Sequence, residues 1–203
     1  MHRLAFTAAT TAALAVAGTA SAATFTLRAS SSERLDPDAP SFSVTSESIV
    51  ANLQVTGASG TFNSTSSGGF GIDTTGSGDE TSFLDAGLGA ESFTISFNQP
   101  VFFDSISISS VATDGSEGLN VQLPQQSSSI FVSSTGVTSF SGNTLVDVGH
   151  TVSIAYVAGT GNGISFNGFA ATANPSAVPE PFAAGAAGLL AAIALRRRQA
   201  PRI

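Results

Sequence analysis

The 203-residue chain contains no cysteine, no tryptophan and, among its seven basic residues, no lysine. Without cysteine it has no disulfide, no thiolate metal ligand and no thiol nucleophile. Histidine is scarce as well, and His150 is the only one in the middle of the chain. A Ser-His-Asp arrangement would need His150, which begins an alternating strand-like run, so an edge or turn position is favoured over catalysis. No carboxylate pair stands out either, and we expect a protein that is not an enzyme.

Positive charge is also scarce in the middle of the chain. The formal net charge is -7, and Arg28 and Arg34 are the only basic residues between residues 23 and 173. Nearly all of the acidic residues lie in the same region. Nucleic acid and an anionic bilayer surface would repel such a domain, so we expect no nucleic-acid partner. Divalent cations and neutral polymers are compatible with it.

Residues 1–22 have the pattern of a signal peptide. Arg3 supplies the positive start, and residues 4–18 are small and apolar. Ala20 and Ala22 are the small residues that a signal peptidase accepts, which predicts cleavage before Ala23. We therefore expect export through the inner membrane.

The C-terminal end combines a proline-rich motif, an apolar run and a basic tail. A linker and the motif occupy residues 174–181, the apolar run residues 182–195 and the tail residues 196–203. As a helix the run would span about 21 Å, short of a bilayer core of about 30 Å. We predict a short transmembrane helix with its arginines in the cytoplasm and the preceding domain outside. The motif is Val178, Pro179, Glu180 and Pro181, and the arginines are Arg196, Arg197 and Arg198.

This arrangement over residues 178–198 resembles the PEP-CTERM sorting signal, which is also catalogued as an ice-binding-protein C-terminal domain. The second name carries no implication of ice binding. The resemblance implies recognition and removal of the tail by an exosortase-type processing enzyme, after transient anchoring in the inner membrane. It also implies a bacterium that makes exopolysaccharide or biofilm matrix. An ordinary tail anchor is the alternative interpretation.

Between the two ends, apolar residues recur at every second position. Phe93, Ile95 and Phe97 alternate with serine and threonine, and similar runs extend from residue 42 to residue 166. This period is typical of β-strands that bury one face. About ten such strands need a second sheet to cover that face. Residues 23–173 are therefore predicted to be an all-β, two-sheet antiparallel sandwich, jelly-roll-like, with most phenylalanines in its core.

Turn and loop residues separate these runs. The segments 98–100 and 114–115 are predicted turns, and residues 159–163 are predicted to join the last two strands as a hairpin. Residues 57–82 and 125–144 are rich in glycine, serine, threonine or glutamine, which predicts long loops.

A group of acidic residues is the best candidate for a metal site. Oxygen ligands on glycine-rich loops are what Ca²⁺ requires, although the spacing fits no defined calcium loop. A solvated acidic loop that keeps a β protein soluble explains the same residues, and both interpretations stand. The group consists of Asp73, Asp79, Glu80, Asp85 and Glu91.

The sequence as a whole predicts a structural or adhesive protein of the bacterial surface, extracellular matrix or biofilm, secreted or retained at the cell surface after its tail is processed. Exopolysaccharide is its expected partner. The alternative is a Ca²⁺-dependent carbohydrate-binding module, because the stretch 57–111 is similar in layout to carbohydrate-binding jelly rolls. Against a dedicated lectin, Tyr156 is the only tyrosine and is predicted to face the core, and a phenylalanine offers a sugar no polar edge.

Overall fold

The computed structural model describes residues 22–26, 39–57, 59–64, 70–74, 83–86, 89–110, 116–159 and 163–175. These residues form thirteen β-strands and no α-helix. In chain order the strands are β1 Ala22–Thr26, β2 Ser41–Ser46, β3 Ile49–Val55, β4 Thr61–Ser64, β5 Phe70–Asp73, β6 Ser92–Phe97, β7 Val101–Ser110, β8 Gly118–Gln122, β9 Ile130–Val132, β10 Gly136–Ser139, β11 Leu145–Val146, β12 Thr151–Val157 and β13 Ser165–Ala173.

The strands form two antiparallel sheets. Sheet A has seven strands in the order β10-β7-β13-β5-β4, with β1 paired to β13 and β11 paired to β7. Sheet B has six strands in the order β2-β3-β6-β12-β8-β9. For the described residues, the prediction of an all-β domain with two antiparallel sheets is confirmed.

The predicted alternation produces strands with one buried face. In β6, Phe93, Ile95 and Phe97 are buried, while the alternating Ser92, Thr94 and Ser96 are partly exposed. Successive side chains of a strand point to opposite sides, so this pattern places every apolar residue of β6 on the inner face of sheet B. The same alternation appears in β12.

Phenylalanine rings join the two inner faces. Phe93 of sheet B lies 5.3 Å from Phe166 of sheet A and 5.7 Å from Phe62, measured between ring centroids. Such edge-to-face contacts are favourable geometries for aromatic rings. The two sheets therefore pack as a sandwich, and the prediction that most phenylalanines lie in the core is confirmed. The buried phenylalanines are Phe25, Phe62, Phe70, Phe93, Phe97, Phe103, Phe166 and Phe169.

The two long loops predicted at residues 57–82 and 125–144 are wrong in part. The first contains β4 and β5, and the second contains β9 and β10. The polar composition hid a few apolar side chains, such as Phe62, Phe70 and Val132, whose burial holds these short strands in place.

The hairpin predicted at residues 159–163 is also wrong. β12 belongs to sheet B and β13 to sheet A, so the connection crosses from one sheet to the other. Glycine-rich composition favours a change of direction but does not specify which sheet receives the next strand. The turn at residues 98–100 does lie between two strands, as predicted, whereas residues 114–115 lie outside the described residues.

The predicted processing segments fall largely outside the described residues. These include residues 1–21, with Ala20, and residues 176–203, with Val178, Pro179, Glu180, Pro181 and Arg196–Arg198. No described segment forms a helix that is both long and apolar enough to cross a bilayer. Strand β1 begins at Ala22, and Ala23, the residue predicted to follow signal cleavage, is buried in it.

Candidate functional site

Three acidic side chains are buried where the connections β5–β6, β7–β8 and β12–β13 meet. We call Asp85, Glu91 and Glu117 the carboxylate cluster. Burying a carboxylate is unfavourable unless hydrogen bonds replace its lost hydration. Each of the three carboxylates therefore requires hydrogen-bond partners within the fold.

Glu117 ties two elements together through one carboxylate oxygen. The Tyr156 hydroxyl donates to Oε1 of Glu117 at 2.6 Å, and the Gly163 N–H donates to the same oxygen at 2.9 Å. Gly163 has a φ of 118°, and an added Cβ would lie 2.7 Å from the Cβ of Phe83. Only glycine can present its N–H to Glu117 from this position without strain.

Glu91 and Asp85 fix the neighbouring connection. The Asp85 N–H donates to Oε2 of Glu91 at 3.0 Å, and the Tyr156 N–H donates to the Glu91 carbonyl at 2.9 Å. Leu84 and Ile164 exchange two backbone hydrogen bonds of 2.8 Å, which attach residues 83–86 to the start of the last strand. The bonds of Glu117 and Glu91, together with the Leu84–Ile164 backbone pair, hold the three connections against one another, which is a structural role.

The structure brings only part of the predicted calcium site together. Asp85 and Glu91 are neighbours, whereas Asp73 lies at the end of β5, paired with Thr61 of β4. The other two predicted ligands, Asp79 and Glu80, lie outside the described residues. Among the residues that are described, no three His, Cys, Asp or Glu side chains are grouped so as to hold a metal ion. The calcium site stays a prediction.

Sequence reasoning missed Glu117 as part of this group. The residue that could have revealed Glu117 is Tyr156, which was predicted to face the core and is buried there. A buried tyrosine hydroxyl usually requires a hydrogen-bond partner. A search for that partner would have directed attention to the acidic residues nearest the strands that flank β12.

The surroundings of Tyr156 favour its protonated form. Burial, the hydrogen bond to Glu117 and the negative charges of Glu117 and Asp85 raise the pKa of Tyr156 above its usual value, and a backbone hydrogen bond from Gly159 opposes them. Deprotonation would remove the donor from the 2.6 Å hydrogen bond and add a third negative charge beside the two carboxylates.

We expect stability to fall above about pH 10, the ordinary pKa of tyrosine. Below that pH the folded and unfolded chains both keep the proton, and the contribution of the raised pKa is complete. At higher pH the unfolded chain loses the proton first, so the free energy of unfolding declines. The chain has no other Tyr, no Cys and no Lys to titrate there.

Urea denaturation between about pH 8 and pH 11 measures this decline. The Tyr156→Phe variant keeps the ring but lacks the proton, so it should lose about 1–2 kcal/mol at neutral pH and show a flat profile. An equally steep decline in both proteins would contradict the assignment to Tyr156.

A second surface with a distinct chemistry is the outer face of sheet B. None of the six described strands of this sheet contains an acidic or basic residue or a histidine. We call its outward-facing side chains the neutral face. Strand register aligns nine of them in two rows, Ser41–Gln54–Thr94–Ser153–Gln122 and Ser43–Asn52–Ser96–Thr151.

Part of the neutral face forms a shallow groove of about 380 Å³ over β2, β3 and β6. The Ser43 hydroxyl donates to Oδ1 of Asn52 at 2.6 Å, and Gln54 Nε2 donates to the Pro40 carbonyl at 3.2 Å. These contacts fix the two amide groups on the exposed surface. The polar residues that line the groove are Ser41, Ser43, Asn52, Gln54, Thr94 and Ser96.

An exposed aromatic ring lies at the far edge of the same face. Phe131 of β9 pairs with Asn120 of β8 and is 47% exposed. Its ring lies over Gly118, where an added Cβ would overlap it. The absence of a side chain at Gly118 therefore allows the ring to lie against the strand.

His150 lies in an exposed turn immediately before β12. Its N–H donates to the Asp147 carbonyl at 3.0 Å. The predicted edge or turn position is confirmed.

The comparisons with known proteins supply no relative for this chain. No protein-family model, no curated protein and no solved structure matches it.

Proposed function

We propose that this chain is an exported β-sandwich protein, sorted through a PEP-CTERM-type tail. Its sandwich is a structural or adhesive component of the cell surface or of an exopolysaccharide matrix. The observation that carries the proposal is the position of the two strands adjoining the predicted processing segments. These strands, β1 and β13, are antiparallel neighbours in sheet A.

The register of β1 and β13 places the residues next to the two predicted processing segments at one end of the sandwich. Ala22, the last residue of the predicted signal peptide, pairs with Thr172, two residues before the predicted linker begins at Asn174. The two predicted segments would therefore be attached to the domain at the same end. This geometry supports a pathway in which the signal peptide and the C-terminal helix occupy one membrane while the sandwich folds outside it.

The strand order supports the jelly-roll interpretation of the sandwich. The sets β1-β13-β7-β10 and β6-β12-β8-β9 place the first and last strands together and give four strands to each layer. This order matches the one expected for two Greek keys in a double-sheet jelly roll. Strands β2 to β5 are then an insertion between β1 and β6 that widens both sheets.

The sorting signal predicts a clear effect of the Glu180→Ala substitution in a bacterium that carries an exosortase-type enzyme. The wild-type chain should lose its tail and leave the membrane fraction. The variant should keep its C-terminal tail, and with it the mass of the uncleaved chain, and remain in the membrane fraction, because the processing enzyme no longer recognises the motif.

Fractionation and intact-mass measurement of both proteins test this prediction. Ser176→Ala, just before the motif, is the matched control and should be processed like the wild type. Identical mass and location of the wild-type and Glu180→Ala chains would refute the sorting proposal.

A further inference from the structure

We infer that the neutral face of sheet B binds an uncharged polysaccharide. The inference rests on the proposed adhesive role and names the class of ligand that the sandwich would hold. Three properties of the face carry it: its lack of charge, its ordered rows of hydroxyl and amide groups, and the ring of Phe131.

The lack of charge selects a neutral ligand. The chain carries fourteen acidic residues and a formal net charge of -7, yet none of those acids lies in a described strand of sheet B. An anionic polymer would be repelled by the rest of the domain. A cationic polymer would find no carboxylate on this face to pair with. An uncharged polymer meets neither obstacle.

The rows of polar groups match the chemistry of sugar hydroxyls. Ser and Thr hydroxyls both donate and accept, and Asn and Gln amides do so through separate atoms. In the groove, the Ser43 hydroxyl bonds Oδ1 of Asn52 and fixes the orientation of its amide. The exposed Asn52 amide then presents its N–H groups in a fixed direction. Preorganised polar groups lose less entropy when a ligand binds.

Phe131 supplies the apolar contact that the polar rows lack. The ring is 47% exposed and is supported from below by Gly118. One face of a sugar ring carries mainly C–H groups, which pack favourably on an aromatic ring. Asn120, directly opposite Phe131 in the register, provides the polar neighbour that the phenylalanine itself cannot provide.

The positions of the groove and of Phe131 indicate a polymer rather than a single sugar. Strands β6 and β9 are separated by β12 and β8, which at ordinary strand spacing is about 14 Å. A monosaccharide cannot touch both features. A chain of several sugars lying across the strands would contact the groove, the rows and the ring together.

Native gel electrophoresis with a polysaccharide cast into the gel tests the inference on the full chain in mild neutral detergent. The neutral polymers are hydroxyethylcellulose, dextran and galactomannan. Carboxymethylcellulose has the backbone of the first but carries negative charge. We expect at least one neutral polymer to retard the protein and carboxymethylcellulose to leave its mobility unchanged.

Two variants locate the binding on the neutral face. Phe131→Ala should weaken binding by about five- to tenfold. Its control is Phe102→Ala, since Phe102 is a 37% exposed phenylalanine on sheet A. Asn52→Asp adds one charge at nearly constant shape and should weaken binding by about threefold or more. Its control is Asn143→Asp in the exposed segment between β10 and β11.

The inference is overturned if none of the three neutral polymers retards the protein. It is likewise overturned if Phe102→Ala weakens binding as much as Phe131→Ala and Asn143→Asp as much as Asn52→Asp. It is also overturned if Phe131→Ala changes the molecular mass measured by light scattering, because the face would then bind a second copy of the chain. None of these outcomes involves tail processing, so they are distinguishable from failure of the sorting proposal.

Discussion

Replacing Phe93 with alanine should lower the free energy of unfolding by about 3–5 kcal/mol. The Phe93 side chain is fully buried in β6, and its ring contacts Phe62, Phe70 and Phe166 at centroid distances of 5.7, 5.9 and 5.3 Å. Its three partners belong to β4, β5 and β13 of the opposite sheet. Alanine would leave a cavity between the two sheets and remove three aromatic contacts that hold them together.

Chemical denaturation of the full chain measures this loss, and Phe131→Ala is the matched control. Both substitutions remove the same side chain, but Phe131 is 47% exposed and should cost about 1 kcal/mol or less. The comparison separates the loss of core packing from the general effect of removing a phenylalanine. Equal losses in the two variants would contradict the position assigned to Phe93.

The parts of the fold that the sequence predicts well are those that one strand specifies by itself. In β6, alternation alone identifies Phe93, Ile95 and Phe97 as buried, and the two-sheet architecture follows from the need to cover such faces. Local alternation also places His150 and Tyr156 correctly, one at the start of a strand and the other facing the core.

Pairing between distant segments could not be predicted in this way. β5 is only four residues long and contains Gly71, where an added Cβ would overlap the backbone of Phe83. Its composition is typical of a loop, but the close approach of residue 83 makes it a strand buried on both sides. The same limit applies to residues 159–163, because no local residue specifies that the chain must cross between sheets there.

In the candidate sites, too, the features that a single strand specifies can be predicted, and the features that depend on pairing between distant segments cannot. The absence of charge from the strands of sheet B is visible in the sequence. The alignment of Ser43, Asn52 and Ser96 in one row is not, because it depends on strand register. Asn52 and Ser96, for example, are 44 residues apart in the chain. The carboxylate cluster likewise depends on contacts between distant segments, such as that between Tyr156 and Glu117, which are 39 residues apart. An acidic residue beside glycine is typical of an exposed turn, so the burial of Glu117 follows only from the assembled sandwich.

Glu117→Ala should lower the free energy of unfolding by about 3 kcal/mol or more. The Glu117 carboxylate is fully buried and accepts from both the Tyr156 hydroxyl and the Gly163 N–H. Alanine removes the acceptor of both bonds and leaves two donors in a site that water cannot easily enter.

Glu117→Gln is the control for shape, because its amide keeps one acceptor oxygen in nearly the same volume. It should cost less than alanine, since the same single oxygen can still accept from both Tyr156 and Gly163. The decline in stability above about pH 10 should also become shallower in both variants, because the charge that helps to raise the pKa of Tyr156 is gone. Denaturation of the two variants and of the wild type across this pH range measures both effects. Wild-type stability and an unchanged pH profile in Glu117→Ala would show that the cluster does not hold the three connections together.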